Sequence, residues 1–180
     1  MFTKFKNINV HRRLYSACFF NDNNQNYIMT SHCYNDNSEN IKIFDFKGNI
    51  IKEIKDYNNN TFFIDTYYDN KLNKNYIITG NDGYCKSYDY IENNVHKIYN
   101  DNDENCHDSI IINDKEEIVK LIESSIDGNI RIWNFHSGEL INKIKVDKNS
   151  IYGINLWNNE YIFAGSKNKT IKLINLKKEK

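Results

Sequence analysis

The sequence contains no proline and only 7 glycines, whereas asparagine, lysine, isoleucine and tyrosine are abundant. We interpret this bias as the coding habit of an AT-rich genome. Net charge is also missing, because 24 Lys and Arg residues balance 24 Asp and Glu residues. A protein that binds the phosphates of nucleic acid normally carries excess positive charge, and so does one that binds an anionic membrane through a basic patch. Both classes are therefore disfavoured.

Long apolar segments are absent too. No run approaches the length that spans a bilayer, and residues 1–15 lack the apolar centre of a signal peptide. We therefore expect a cytoplasmic protein whose cysteines stay reduced. The cysteines are Cys18, Cys33, Cys85 and Cys106. Their irregular spacing argues against a disulfide framework.

What the chain does contain is enough apolar material for a core. Hydrophobic residues make up 39% and aromatic residues 14% of the 180 positions, so the Asn-rich runs do not imply a disordered chain. A chain of this length suits one domain, and we treat residues 1–180 as a single unit.

The segment Ser124–Leu140 has the features of two β-strands bounded by turns. Asp127-Gly128 is a tight-turn dipeptide, the Ile-Arg-Ile-Trp run that follows is rich in strand formers, and Ser137-Gly138 marks a second turn. Versions of this layout recur four times. One aligned position holds Phe44, Tyr88, Trp133 and Ile174, about 41 to 45 residues apart. This is the period of a propeller blade.

The third unit resembles a WD-repeat (tryptophan–aspartate repeat) blade, with Ser125, Asp127-Gly128 and Trp133, and with Asn134 where the family usually has Asp. The other units keep parts of the pattern, in Phe44-Asp45, Asp82-Gly83, Tyr88-Asp89, Asn168 and Ile174-Asn175. The resemblance implies an all-β fold, a β-propeller of four consecutive four-stranded antiparallel blades. The blades would span about 11–56, 57–100, 101–146 and 147–176, with 2–8 as a possible closing strand.

Family propellers usually have seven or eight blades, so four units leave three alternatives. The chain is a piece of a longer propeller, it pairs with a second chain, or it closes as an unusual ring of four. The last unit stops after its third strand, at Leu176, so we expect that blade to lack its outer strand. An open arc would expose sheet faces at both ends, which predicts association.

The resemblance also implies particular residues. Family blades often contain a buried hydrogen-bonded set of His, Ser or Thr, Asp and Trp, which falls here on His107, Ser125 (or Ser124), Asp127 and Trp133. Partners of such propellers usually meet the rim of one face. Carried over by position, that rim comprises Arg13, Tyr15, Asn81, Ile126, Ser150, Tyr152 and Lys167.

Catalytic and metal-binding patterns are weak. His32-Cys33 and Cys106-His107 place possible ligands side by side, but they lie in different repeats without a Cys-x-x-Cys partner. No G-x-S-x-G elbow is present. We therefore predict no enzyme activity, no metal and no cofactor. The expected function is a scaffold that binds a protein or peptide; the alternatives are an architectural part of a larger propeller and a propeller-based hydrolase.

Overall fold

The computed structural model describes residues 7–8, 13–22, 24–32, 41–55, 60–101, 104–113, 118–158 and 160–176. These ranges form β-strands and turns, and within them no helix has the length and hydrophobicity needed to cross a bilayer. The suggested closing strand at 2–8 falls almost entirely outside the described residues, as does Cys33.

The strands form four separate sheets, which we number blades 1 to 4 in chain order. Blade 1 contains β1 (Leu14–Asp22), β2 (Gln25–His32), β3 (Ile41–Phe44) and β4 (Ile50–Ile54). Blade 2 contains β5 (Thr61–Asp69), β6 (Lys74–Asn81), β7 (Cys85–Asp89) and β8 (Asn94–Tyr99). Blade 3 contains β9 (Cys106–Asn113), β10 (Val119–Ser125), β11 (Asn129–Asn134) and β12 (Leu140–Lys145). Blade 4 contains β13 (Ile151–Trp157), β14 (Tyr161–Ser166) and β15 (Ile171–Asn175).

Each blade is an antiparallel meander in which every strand pairs with its neighbour in sequence. Blades 1 to 3 have four strands, as predicted. Blade 4 has three in the described part of the chain, so the description of four equal four-stranded blades needs this correction. The described part of blade 4 thus ends with its third strand, as the repeat pattern predicts.

The aligned position of the repeat occupies the same place in every sheet. Its four residues pair across to the second strand of their own blade: Phe44 with Ile28, Tyr88 with Ile77, Trp133 with Leu121, and Ile174 with Ile162. The predicted alignment of the four units is confirmed, because both the strand and the register match from blade to blade.

Three buried clusters hold consecutive blades together. Blades 1 and 2 share Phe20, Met29, Ile41, Ile43, Ile54, Ile64, Ile77, Tyr88 and Tyr90. Blades 2 and 3 share Phe63, Tyr67, Tyr76, Ile78, Cys85, Tyr99, Cys106, Val119, Leu121, Trp133 and Phe135. Blades 3 and 4 share Ile112, Ile122, Ile130, Ile132, Ile151, Ile154, Ile162 and Ala164. No such cluster joins blade 4 to blade 1 among the residues that the structure describes.

The far face of blade 4 is consequently uncovered. Ile171 is 77% exposed and Leu173 54% exposed, and Trp157 and Phe163 lie beside them in ring contact at 5.9 Å. The register places Leu173 opposite Phe163, so these side chains belong to one sheet face. We call Trp157, Phe163, Ile171 and Leu173 the end face.

Asparagine replaces glycine in several turns. Asn24, Asn73, Asn93 and Asn158 all have positive φ, between 52° and 63°, in turns between consecutive strands. Asparagine tolerates this left-handed region better than most residues because its side chain can bond locally. The scarcity of glycine is thus compatible with many tight turns.

Candidate binding rim

The first strand of every blade carries an irregularity at the same point. The pairing of first and second strands skips one residue near the start of β1, β5, β9 and β13. The skipped residues are Tyr15, Phe62, His107 and Tyr152. A β-bulge of this kind bends the strand and turns one side chain away from the regular alternation. Each blade therefore presents an aromatic ring at the same end of its first strand.

The four rings touch in sequence across the blades. Ring centroids lie 5.6 Å apart for Tyr15 and Phe62, 5.6 Å for Phe62 and His107, and 5.2 Å for His107 and Tyr152. The Arg13 guanidinium lies 5.2 Å from the Tyr15 ring centre at one end. We call Tyr15, Phe62, His107 and Tyr152 the aromatic row. It crosses all four blades, and Tyr152 is 52% exposed at its far end.

Asn105 fixes the chain just before His107. Its carbonyl oxygen accepts hydrogen bonds from Ser125 Oγ at 3.0 Å and from the Ile126 N–H at 3.1 Å. Its side-chain oxygen accepts from the Gly83 N–H at 3.0 Å, and its amide donates to Asp82 at 3.1 Å. The turns of blades 2 and 3 are thereby tied to the segment that enters β9, which positions the His107 ring in the row.

Burial lowers the pKa of His107, and the charge of Asp82 opposes this effect without overcoming it. The imidazole is therefore neutral at pH 7 and can stack as an aromatic ring. Two carboxyls lie nearby on the first strands. Burial raises the pKa of both Asp65 and Asp108, and Asp108 Oδ2 also accepts a hydrogen bond from the Ile154 N–H of blade 4 at 2.9 Å.

The rim residues expected from the sequence divide into three groups. Tyr15 and Tyr152 are members of the row, and Arg13 lies over Tyr15. Ile126 and Lys167 are exposed in turns between second and third strands. Asn81 and Ser150 are buried, so their side chains are not presented at the surface. Phe62 and His107 were not predicted as rim residues, although each follows the start of its first strand as Tyr15 and Tyr152 do.

The residues of the proposed His–Ser–Asp–Trp set form hydrogen bonds mainly with residues outside the set. Asp127 accepts from Arg131 Nη2 at 2.6 Å and from the Asn129 amide at 2.6 Å, while Ser125 donates to Asn105. Trp133 packs on Tyr99 with ring centroids 5.9 Å apart. In the described residues, neither His107 Nε2 nor Trp133 Nε1 has a hydrogen bond of normal geometry. The four residues thus lie in one blade without forming one network.

Arg131 is the residue at the centre of the polar contacts in blade 3. Its side chain is almost fully buried, and its guanidinium contacts Asp101 at 2.8 Å, Asp127 at 2.6 Å and Glu123 at 3.7 Å. The sequence offers a signal for this role, since the same repeat position holds Lys42, Lys86, Arg131 and Lys172. In blade 4, Lys172 Nζ lies 3.6 Å from Asp147. The Arg131–Asp101 and Lys172–Asp147 pairs each connect a third strand with the segment that leads into the same blade.

Cys106 and His107 point to different places, despite being neighbours in sequence. His107 joins the row, whereas Cys106 is fully buried beside Cys85 and Glu123, with one ligand atom of each within 4.8 Å of the others. Burial raises the pKa of Cys106 well above its usual value. Burial also raises the pKa of Glu123 to about 7, against the opposing influence of Cys106, Arg131 and Trp133.

Comparison with solved structures gives the fold. No family model matches the chain, and no curated protein matches it by sequence. The WD40 beta propeller domain of Doa1 superposes with a TM-score of 0.73 at 18% identity, over 92% of this chain and 51% of that one. The computationally designed Ika4 protein gives 0.70 at 13% identity, over 96% of this chain and 99% of that one. The designed Ika8 protein gives 0.66 at 14% identity, over 91% and 46%.

The chain therefore has a β-propeller fold. Four sheets in ring order, each a meander with its first strand at one edge, match this architecture. The chain spans about half the length of the Doa1 domain and of Ika8, and nearly the whole of Ika4.

Proposed function

We propose that this chain is a non-catalytic interaction scaffold of the WD-repeat type, which binds a protein or peptide along the aromatic row. One observation carries the proposal: four bulges in phase each turn a ring to the same rim, where the rings touch across all four blades. Bulges that recur at one repeat position are features that a fold uses to aim side chains.

The composition of the row suits protein recognition. Tyrosine buries a large area and keeps a polar end, and Tyr and Arg are the residues that most often dominate the energy of interfaces. Arg13 and Tyr15 stand together at one end, and the exposed Tyr152 stands at the other. An extended peptide laid along the rim would contact ring after ring. Basic side chains on it would find ring faces and, near His107, the carboxylate of Asp82.

A binding role also fits the arrangement better than a hydrolytic one. The members of the row are related by ring contacts, and the nearby Asp108 accepts bonds from the backbone of Ser109 and Ile154. Nucleophilic catalysis requires a nucleophile within hydrogen-bond distance of its base, with a third group orienting that base. Asp108 instead joins blade 3 to blade 4.

The test is a peptide array probed with the purified chain, followed by fluorescence anisotropy on the peptides that bind. Phe62→Ala and Tyr152→Ala should each weaken binding by about tenfold or more, as loss of an interface anchor does. Tyr68→Ala is the matched control, because Tyr68 is 47% exposed at the opposite end of β5 from Phe62. Equal loss in all three variants, or unchanged binding in the row variants, would contradict the proposal.

A second candidate is an architectural role, in which the four blades form part of a larger ring. The observation that favours it is the end face, where Ile171 and Leu173 occupy sheet positions that face the next blade elsewhere in the chain. The equivalent residues of blade 1, Ile41 and Ile43, are fully buried against blade 2. Blade 4 therefore exposes the sheet face that, in blade 1, is covered by the next blade.

Light scattering at several concentrations tests this second role. A paired ring predicts a mass twice the 21.4 kDa of one chain, and Leu173→Asp should reduce it to a single chain. Ile91→Asp, at an exposed turn away from the end face, should leave the mass unchanged. Aggregation of the parent that Leu173→Asp relieves would favour additional blades as the cover. A monodisperse single chain, indifferent to Leu173→Asp, would count against an architectural role.

A further inference from the structure

Three metal-binding side chains meet inside the joint between blades 2 and 3. Cys85 comes from β7, Cys106 from the start of β9, and Glu123 from β10. Their ligand atoms lie within 4.8 Å of one another, and all three residues are buried. Since β7 and β9 belong to different blades, the packing of the blades has to bring them together.

The surroundings of this cluster contain polar atoms that need a partner. Within the described chain, Glu123 Oε2 and Ser109 Oγ are buried and make no hydrogen bond of normal geometry. The register places Ser109 directly opposite Glu123, so both side chains point to the blade 2 side of the sheet. A buried polar atom that lacks a good hydrogen bond is unfavourable, because it loses its bonds to water without replacing them. Glu123 lies beside two thiols, so a bound metal ion and its water would supply the partners that these polar atoms lack.

We propose that Cys85, Cys106 and Glu123 bind a structural zinc ion between blades 2 and 3, with a water held by Ser109 completing the coordination. Cys sulfur and carboxylate oxygen are both donors that Zn²⁺ accepts, and with three protein ligands the water would fill the fourth position of a tetrahedral site. Hard cations such as Mg²⁺ and Ca²⁺ prefer oxygen ligands, so the two thiolates select against them.

Charge supports the choice of a divalent ion. Two thiolates, one carboxylate and Zn²⁺ together leave one negative charge. The Arg131 guanidinium, which also pairs with Asp101 and Asp127, lies 3.7 Å from Glu123 Oε1 and is the cation beside this negative charge. A divalent cation removes most of the negative charge that two thiolates and a carboxylate would otherwise bury, and so lowers their desolvation penalty. Binding would release the thiol protons to solvent as the two sulfur–zinc bonds form.

Such an ion would cross-link two blades of the propeller. It would tie the third strand of blade 2 to the first and second strands of blade 3, inside the cluster that also holds Tyr99 and Trp133. Because the ligands are fully buried, the ion would enter while the two blades assemble and exchange slowly afterwards.

The experiment measures metal in the purified, untagged chain produced in zinc-supplemented medium. After dialysis, elemental analysis should find about one zinc per chain. Refolding with Co²⁺ in place of zinc should give thiolate-to-cobalt charge-transfer absorption together with visible bands of tetrahedral cobalt. Cys85→Ser and Cys106→Ser should lose both signals, and Glu123→Gln should weaken zinc binding by about tenfold or more.

Cys18→Ser is the matched control, since Cys18 lies in blade 1 away from the cluster and should leave zinc content unchanged. The spectrum of the parent with Co²⁺ decides the matter even if the cluster variants fail to fold. A folded parent that retains no zinc and gives no charge-transfer band with Co²⁺ would overturn the proposal. Zinc that survives in Cys106→Ser would do so too, because it would be bound elsewhere.

Discussion

Two joints of the same propeller are built from different chemistry. Between blades 2 and 3 the buried cluster contains six aromatic residues, Phe63, Tyr67, Tyr76, Tyr99, Trp133 and Phe135, together with two cysteines. Between blades 3 and 4 the cluster is aliphatic throughout, with seven isoleucines and one alanine. Both joints use the same strands and registers, so the fold does not dictate which side chains fill them.

Polar groups follow the same division. The aromatic joint encloses Arg131 and Glu123, and Tyr99 Oη donates to the Phe135 carbonyl at 2.6 Å while contacting Ser87 Oγ at 3.1 Å. At the aliphatic joint, Asp108 accepts the Ile154 N–H, and Asp147 contacts Lys172 Nζ at 3.6 Å. A joint with directional hydrogen bonds accepts few alternative partners, whereas an aliphatic surface tolerates repacking. We therefore expect the blade 2–3 joint to tolerate substitution less well than the blade 3–4 joint.

The largest effect should come from truncating the aligned position in the aromatic joint. Trp133→Ala removes a buried indole and should lower the free energy of unfolding by about 3–5 kcal/mol. Ile174→Ala removes the equivalent side chain of blade 4, which is only partly buried, and should cost about 1–2 kcal/mol. Urea unfolding monitored by circular dichroism measures both.

The contrast between these two substitutions is the informative quantity. If Ile174→Ala destabilises as much as Trp133→Ala, the two joints contribute equally and the comparison fails. If Trp133→Ala leaves the urea midpoint of the parent unchanged, the indole is not part of the packed joint.

A second difference concerns the two turns that flank β11, which are enclosed to different degrees by neighbouring segments. Gly128 and Gly138 have almost the same φ, 77° and 78°, yet their surroundings differ. A Cβ on Gly128 would lie 2.2 Å from the Asp147 carbonyl oxygen, in the segment that leads to blade 4. A Cβ on Gly138 would meet nothing closer than 3.4 Å, at the Lys97 side chain of blade 2.

Gly138→Ala should therefore cost about 1 kcal/mol, the backbone penalty of a left-handed residue with a side chain. Gly128→Ala adds a clash with backbone and should cost about 2 kcal/mol or more beyond that. Thermal unfolding of the two variants separates the contributions. Equal losses would show that the blade 3–4 segment moves aside freely, so that this joint is looser than the distances indicate.

The repeat and its register could be predicted from sequence because both are local properties. Strand formers with period-2 alternation, tight-turn residues and an apolar residue at 41 to 45 residue intervals are visible without knowing what packs on what. Trp133 and Ile174 consequently fell on matching positions.

The rest depends on contacts between blades. A bulge is a shift in pairing, which no alternation pattern shows in advance, so Phe62 and His107 were not assigned to the rim. In the sequence Cys106 stands beside His107, whereas its spatial neighbours Cys85 and Glu123 come from other strands. Arg131 sits in a strand where a charged residue ordinarily indicates solvent, and its burial requires acids from two loops.

The smallest expected effect concerns two carboxylates whose pKa the fold lowers, Asp127 and Asp147. Partial burial disfavours the charge of Asp127, but hydrogen bonds from Arg131 and Asn129 outweigh it and lower its pKa to about 2. The unfolded chain has the ordinary value of about 3.9, so the stabilisation is complete above about pH 4 and is lost as pH falls toward 2. A shift of this size would be worth about 2.5 kcal/mol if fully buried, and screening at this partly exposed carboxylate reduces it to about 1 kcal/mol.

Asp127→Asn should therefore unfold at a lower urea concentration than the parent at pH 7, and the two midpoints should converge between pH 4 and pH 2. Asp147, which contacts Lys172 at the blade 3–4 joint, also has a pKa lowered to about 2, chiefly by the Asn149 N–H. Asp147→Asn provides a comparison at the blade 3–4 joint, where the cation lies 3.6 Å from the carboxylate rather than 2.6 Å. Because both pKa values are lowered to about 2, the Asp147→Asn midpoint should converge with that of the parent over the same pH window. Parallel pH profiles for the parent and Asp127→Asn would mean that Arg131 is held by Asp101 and Glu123 alone.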